Sequence, residues 1–118
     1  MNFCINKKTL KLDLFDVDVA EAMEKAILHT ANEMIALGEK EQSYLAAMKE
    51  GCYIVFAFFD RAFGAGTAKE LFGERHNYKL CLKAYLECSK QYKKFMTEGM
   101  AEELKELHME EAESGKEL

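Results

Sequence analysis

From Cys52 to Phe59 the chain runs Cys-Tyr-Ile-Val-Phe-Ala-Phe-Phe without a charged side chain. Whatever forms there is apolar on every face, so the remaining elements are expected to enclose it. Tyr, Ile, Val and Phe favour strands, and so short a run does not separate a buried strand from a buried helix by periodicity alone. The flanks decide for helix. Tyr44, Leu45, Met48 and Cys52 lead into Val55, Phe56, Phe59 and Phe63 at spacings of three and four, which predicts one helix from about Glu39 to Phe63. Among the 118 residues there is no proline, and Ala, Leu, Met, Glu and Lys are abundant, so long uninterrupted helices are expected.

The glycines after this run invite comparison with a phosphate-binding loop. Gly64-Ala65-Gly66-Thr67 follows no clear strand and lacks the Gly-Lys-Ser/Thr ending that a P-loop uses. A structural role accounts for every residue: Gly64 ends the long helix, Gly66 allows a turn, and Thr67 caps a short helix, Ala68 to Phe72. Glu70 completes the capping box, and Gly73 stops that helix.

Phe3 and Ile5, then Leu10, Leu12 and Leu14, alternate with polar or small residues on either side of Asn6-Lys7-Lys8, which predicts a β-hairpin. A first helix should begin near Asp16 or Asp18 and present Val19, Met23, Ile27 and Met34 or Ile35 to the core, ending at Gly38. His29 has no partner at an obvious recruiting distance. A last helix should start at the cap Asn77, bury Leu80, Cys81, Ala84, Tyr85, Cys88, Tyr92, Phe95 and Met96, and kink or fray at Gly99, with Glu113 to Leu118 unstructured. The predicted fold is therefore mainly α: three main helices, one short one, and an N-terminal β-hairpin. Val55, Phe56, Phe59, Phe63, Leu80, Cys81, Ala84, Tyr85 and Cys88 should form its core. Two segments are expected, a helical domain over 1–97 and an acidic helical extension or tail over 98–118.

Charge sharpens that division. Glu98 to Leu118 holds eight Glu against Lys105 and Lys116, so of the net −5 the tail carries −6 and the rest about +1. Residues 74–94 are basic, but an acidic segment follows directly, which is unlike the coherent basic face that nucleic acid binding requires. The N-terminus lacks a signal-peptide pattern and no stretch suits a membrane span, so a cytoplasmic, unsecreted protein is expected. Cys4, Cys52, Cys81 and Cys88 form no Cys-x-x-Cys pair and read as reduced core thiols, not metal ligands. Ser43, Ser89 and Ser114 occupy no nucleophile elbow, and His29, His76 and His108 are far apart in sequence. No catalytic residue, cofactor or metal ligand is expected.

With those residues read, a resemblance can be stated. The hairpin, Leu12-Asp13-Leu14-Phe15-Asp16, then Phe58-Phe59-Asp60, Phe63-Gly64-Ala65-Gly66-Thr67, Leu71-Phe72-Gly73 and the segment Asn77 to Ala84 resemble small tail assembly chaperone-like proteins of phages and prophages of Gram-positive bacteria. The likeness covers roughly Phe3 to Met96. It implies a non-enzymatic protein that binds the tape-measure protein, keeps it soluble and brings tail-tube subunits to it. A small host- or phage-regulatory interaction protein is the alternative, and a small enzyme a further one. For partner binding the sequence offers Met96, Met100, Leu104 and Leu107, where apolar positions continue through the acidic tail. The succession of basic and acidic halves in the last helix also suggests a homo-oligomer formed by antiparallel pairing.

Overall fold

The computed structural model describes residues 1–116, with side chains described through Met109. Strand β1 (Asn2–Ile5) pairs antiparallel with β2 (Lys8–Lys11), Phe3 lying opposite Leu10 and Ile5 opposite Lys8. Asn6 and Lys7 join them with φ of 48° and 64°. Two left-handed residues match the right-handed twist of the flanking strands, so the turn holds two residues and Lys8 belongs to β2. Phe3 and Ile5 are wholly buried on the inner face.

Helix α1 (Val17–Glu39) starts at Asp16, whose carboxylate accepts from the Asp18 N–H at 3.0 Å. Gly38 does not end it; the helix runs on to Glu39, and the Lys40 N–H donates to the Leu37 carbonyl. Its buried positions are Met23, Ala26, Thr30 and Leu37, with Val19, Ala20, Ile27 and Met34 beside them. Ile35, a candidate for the stripe, is turned to solvent.

Helix α2 spans Tyr44–Phe63, so the expected start at Glu39 is corrected. Ser43 has extended backbone and its hydroxyl accepts from the Ala46 N–H at 3.1 Å, which fixes the first turn there. Cys52, Val55, Phe58 and Phe59 are buried, but Tyr53 is half exposed, so the charge-free run is not enclosed on every face. Phe56, Phe63 and Leu80, expected in the core, are partly buried around it, while Phe58 joins it fully. The buried positions fall on two sides of α2 because α1 and α4 both pack on it. Gly51 allows the close approach: a Cβ there would stand 2.3 Å from the Tyr78 ring.

At the end of α2 three glycines adopt positive φ, 114° at Gly64, 91° at Gly66 and 62° at Gly73. They flank α3 (Thr67–Phe72), and backbone geometry is what they supply. Thr67 is not the cap. It is the first residue of α3, and its hydroxyl donates to the Gly64 carbonyl at 2.7 Å. The side-chain acceptor at this helix start comes from α2, where Asp60 Oδ1 takes the Ala68 N–H at 2.8 Å.

Helix α4 (Tyr78–Lys94) is capped by Asn77, which accepts from the Leu80 N–H at 3.0 Å. It buries Cys81, Ala84, Tyr85, Cys88 and Tyr92, and Phe95 continues that face; Met96, expected there, is exposed. Side chains of α4 fasten the hairpin to it, Gln91 foremost. Gln91 accepts from the Cys4 N–H at 2.9 Å and donates to the Cys4 carbonyl at 2.8 Å, pairing with the outer edge of β1 as a neighbouring strand would.

Where a kink or fraying is expected at Gly99, the chain makes a π-helical turn, Phe95–Gly99, and proceeds into α5 (Met100–Lys116). Gly99 gives room for the Phe95 ring, which would lie 2.9 Å from a Cβ at that position. The backbone stays helical through Lys116, so the unstructured segment expected from Glu113 does not begin there; Glu117 and Leu118 lie outside the described residues. The extents are 69 × 27 × 20 Å. The radius of gyration, 17.9 Å, exceeds the about 13.5 Å of a compact chain of this length, as a helix reaching past the folded body requires.

Candidate interaction surfaces

The residues expected to bind a partner divide into a base and a free end. Met96 lines a cleft with Val17, Ala20 and Tyr92 where α1 begins. Met100 packs on the edge of the core. Leu104 and Leu107 follow at intervals of four and three, on the side that the core face occupies one turn earlier, and both are exposed. The uncovered stripe therefore continues the buried face of α4 beyond the end of the body. Glu103 and Glu106 flank it, while Glu98 and Glu102 line a cleft with Met1, Gln91 and Lys94; Lys105 is the one cation between Glu98 and Met109.

The outer face of α4 carries Lys79, Lys83, Leu86, Lys90 and Lys93, all exposed. These positions lie opposite Cys81, Tyr85, Cys88 and Tyr92, and hence away from the Leu104–Leu107 side. A two-fold antiparallel pair needs the basic and the apolar acidic surfaces on one side. The helix does not provide that.

A second apolar surface was hidden in the sequence. Leu45, Met48, Lys49, Tyr53 and His76 line a shallow cleft of about 420 Å³ at the other end of α4. Tyr44 beside it is 91% exposed and Leu45 76%. The His76 ring meets Tyr53 edge-on at 5.5 Å and also contacts Phe56 at 5.4 Å, which holds one wall in place. Spacings of three and four placed Leu45 and Met48 with the core residues, whereas the first turns of α2 stand clear of the elements that cover Val55 and Phe59. The signal available was Ser43, whose capping pattern separates this end of α2 from α1.

Burial and then the neighbouring Cys52 push the Cys81 thiol up to about 12, and burial pushes Cys88 up to about 12 as well. Thiols held protonated in this way are poor nucleophiles at neutral pH. Cys4, expected in the core, is exposed. A thiol-specific disulfide reagent at mildly alkaline pH should therefore label Cys4 rapidly, and Cys52, Cys81 and Cys88 only as the chain unfolds. Fast labelling of a second thiol in native protein would show that the core opens readily. Burial, followed by Cys88, also raises Tyr85, whose hydroxyl donates to the Ile27 carbonyl at 3.1 Å and joins α4 to α1.

His29 contacts Glu33 one turn on, a carboxylate at i+4 that the sequence reading passed over. The Thr30 hydroxyl is buried without a hydrogen-bond partner, on the core face of α1. Among the described residues no three His, Cys, Asp or Glu side chains are placed to hold a metal ion. The Asp60 carboxylate at the start of α3 puts negative charge where a phosphate cradle would need donors.

Comparison with known sequences bears on this geometry over nearly its whole length, since residues 6–117 match a family of unknown function, DUF6673. The chain belongs to that family. The DUF6673 match takes in the turn of the hairpin, both apolar surfaces and α5. Neither a curated protein nor a solved structure matches the chain. Among the described residues no helix is long and apolar enough to cross a membrane.

Proposed function

We propose that the chain is a non-enzymatic tail assembly chaperone-like protein of a phage or prophage, working in the cytoplasm of the bacterial host. It binds the tape-measure protein and brings tail-tube subunits to it. The observation that carries this reading is the stripe Met96, Met100, Leu104 and Leu107, an extension of the core face whose outer half is left uncovered by the described residues. A long helical client has an apolar stripe of its own, and helix-on-helix contact of this kind is read through side chains three and four apart. Met at the base of the stripe suits a surface that must accept successive segments of different shape, because its unbranched thioether adapts to irregular neighbours. The surrounding Glu side chains select client segments that carry Lys or Arg beside their apolar positions. The sequence resemblance supplies the identity of the client. Its motif residues, among them Leu14, Phe58, Phe59 and Leu71, are buried and act through the fold.

Co-expression with the tape-measure protein of the same genome tests the proposal. The two proteins should co-purify, the client should stay soluble, and Leu104→Glu with Leu107→Glu should abolish both effects while the helical circular dichroism is kept. A client that is equally soluble with the doubly substituted chain, or that never co-purifies with the wild type, would overturn it.

A further inference from the structure

Two surfaces are left uncovered by the folded body, and they stand at opposite ends of α4. The cleft of Leu45, Met48, Tyr53 and His76 lies beside the start of α4, where Tyr78 meets Gly51. The apolar stripe of α5 lies beyond its finish. The 17 residues of α4 hold the two apart by about 25 Å at the helical rise of about 1.5 Å per residue, so α5 does not reach the cleft of its own chain. We infer that α5 of one copy docks in the cleft of the next, head to tail.

Apolar area alone would not select this arrangement; charge does. α5 brings Glu103 and Glu106 beside Leu104 and Leu107. The cleft has Lys49 in its wall, and Arg75 and Lys79 flank His76 and Tyr78 in the chain, all three exposed. Among the described residues none of these three cations has a carboxylate within ion-pair distance. Two nearby acids are engaged elsewhere: Glu50 with Lys40 at 2.9 Å and Glu74 with Lys69 at 3.6 Å. Stripe against stripe, by contrast, would bring the flanking Glu103 and Glu106 of one α5 toward the same pair of another, and like charges face to face disfavour a contact. The basic outer face of α4 cannot relieve this, since it points the opposite way.

The contact uses different patches on the two copies, so copies add head to tail, in an open line unless the rotation between neighbours closes a ring. The inference needs no client and does not rest on the assembly-chaperone reading. The two readings share α5, so a client helix on the stripe competes with the neighbouring copy.

Sedimentation velocity of the full chain, across a wide concentration range and at low and high salt, gives the test. Wild-type protein should form a ladder of species that shortens as salt rises. Met48→Glu in the cleft and Leu104→Glu on α5 should each weaken association by roughly tenfold or more, the loss expected for an interface anchor. Both positions are exposed, so the fold should survive; Leu45→Glu and Leu107→Glu replace either variant that loses helical circular dichroism. The diagnostic result is the mixture. One variant keeps a sound α5 and the other a sound cleft, so together they should form pairs and stop there. Wild-type protein that remains monomeric at high concentration and low salt overturns the inference. So does association that Met48→Glu leaves intact, or a mixture that forms no pairs while the wild type forms a ladder, either of which indicates two-fold contact through one surface.

Discussion

Phe59→Ala should lower the stability of the chain by ~3 to 5 kcal/mol, the range for removing a large buried aromatic side chain. Phe59 has no exposed surface. Its ring meets Phe58 edge-on at 5.0 Å, lies near-parallel to Phe63 at 6.0 Å and meets Phe72 at 5.8 Å. Because Phe72 belongs to α3, the substitution leaves a cavity and also removes a tie between α2 and the short helix. A six-residue helix has little stability of its own and depends on such packing. Urea denaturation followed by circular dichroism measures the effect. An unchanged midpoint would mean that this ring is not in the core.

Gln91→Glu should cost ~0.5 to 1.5 kcal/mol at neutral pH, the net worth of an intramolecular hydrogen bond, and the loss should shrink on acidification. The amide of Gln91 makes two opposite hydrogen bonds to Cys4, one accepted and one donated. A carboxylate keeps the acceptor and removes the donor, leaving a negative oxygen against the Cys4 carbonyl. Glu87, whose carboxylate faces the Asn6 N–H one turn away, adds like charge. Protonation gives the donor back. The substituted carboxyl is therefore easier to protonate in the folded chain than in the unfolded one, and its folded pKa is raised. Stability from such a group is complete below the unfolded pKa and is lost as pH rises through the folded pKa. Relative to wild type, the variant should recover as pH falls through the carboxylate range. A stability difference that is flat with pH would show that the Gln91–Cys4 pairing does not hold the hairpin.

Much of the architecture was legible because it is written in local chemistry. Asn77 announces α4 by a side-chain acceptor three residues ahead of the N–H it satisfies, and Asn6-Lys7 sits between two alternating runs as turn residues do. The same locality misled at Thr67, where a capping pattern is present but Asp60 on α2 takes the role, a residue brought close only by the fold. The candidate surfaces divide in the same way. Leu104 and Leu107 could be read as exposed because Glu and Lys surround them in the chain. Leu45 and Met48 could not, because exposure there depends on where α1 and α4 stop covering α2, and spacing along a helix carries no record of what lies across from it. Tyr53 shows the limit most plainly: it lies inside the apolar run and is still half exposed beside His76.

The π-helical turn at Phe95–Gly99 has a geometric effect beyond its five residues. One additional residue in a turn of about 3.6 rotates everything after it by roughly 100° about the axis. An unbroken α-helix through the same sequence would swing Leu104 and Leu107 toward the side where Lys90 and Lys93 stand. The extra residue turns them back into line with Phe95 and Met100. Gly99 makes room for the inserted turn beside Phe95, and Thr97 supports it by donating to the Lys93 carbonyl at 2.9 Å. The compass bearing of the protruding arm is thus fixed by a local miscount of the helix, and a change of a single residue in length between Lys94 and Met100 would re-aim the arm without altering one atom of its surface.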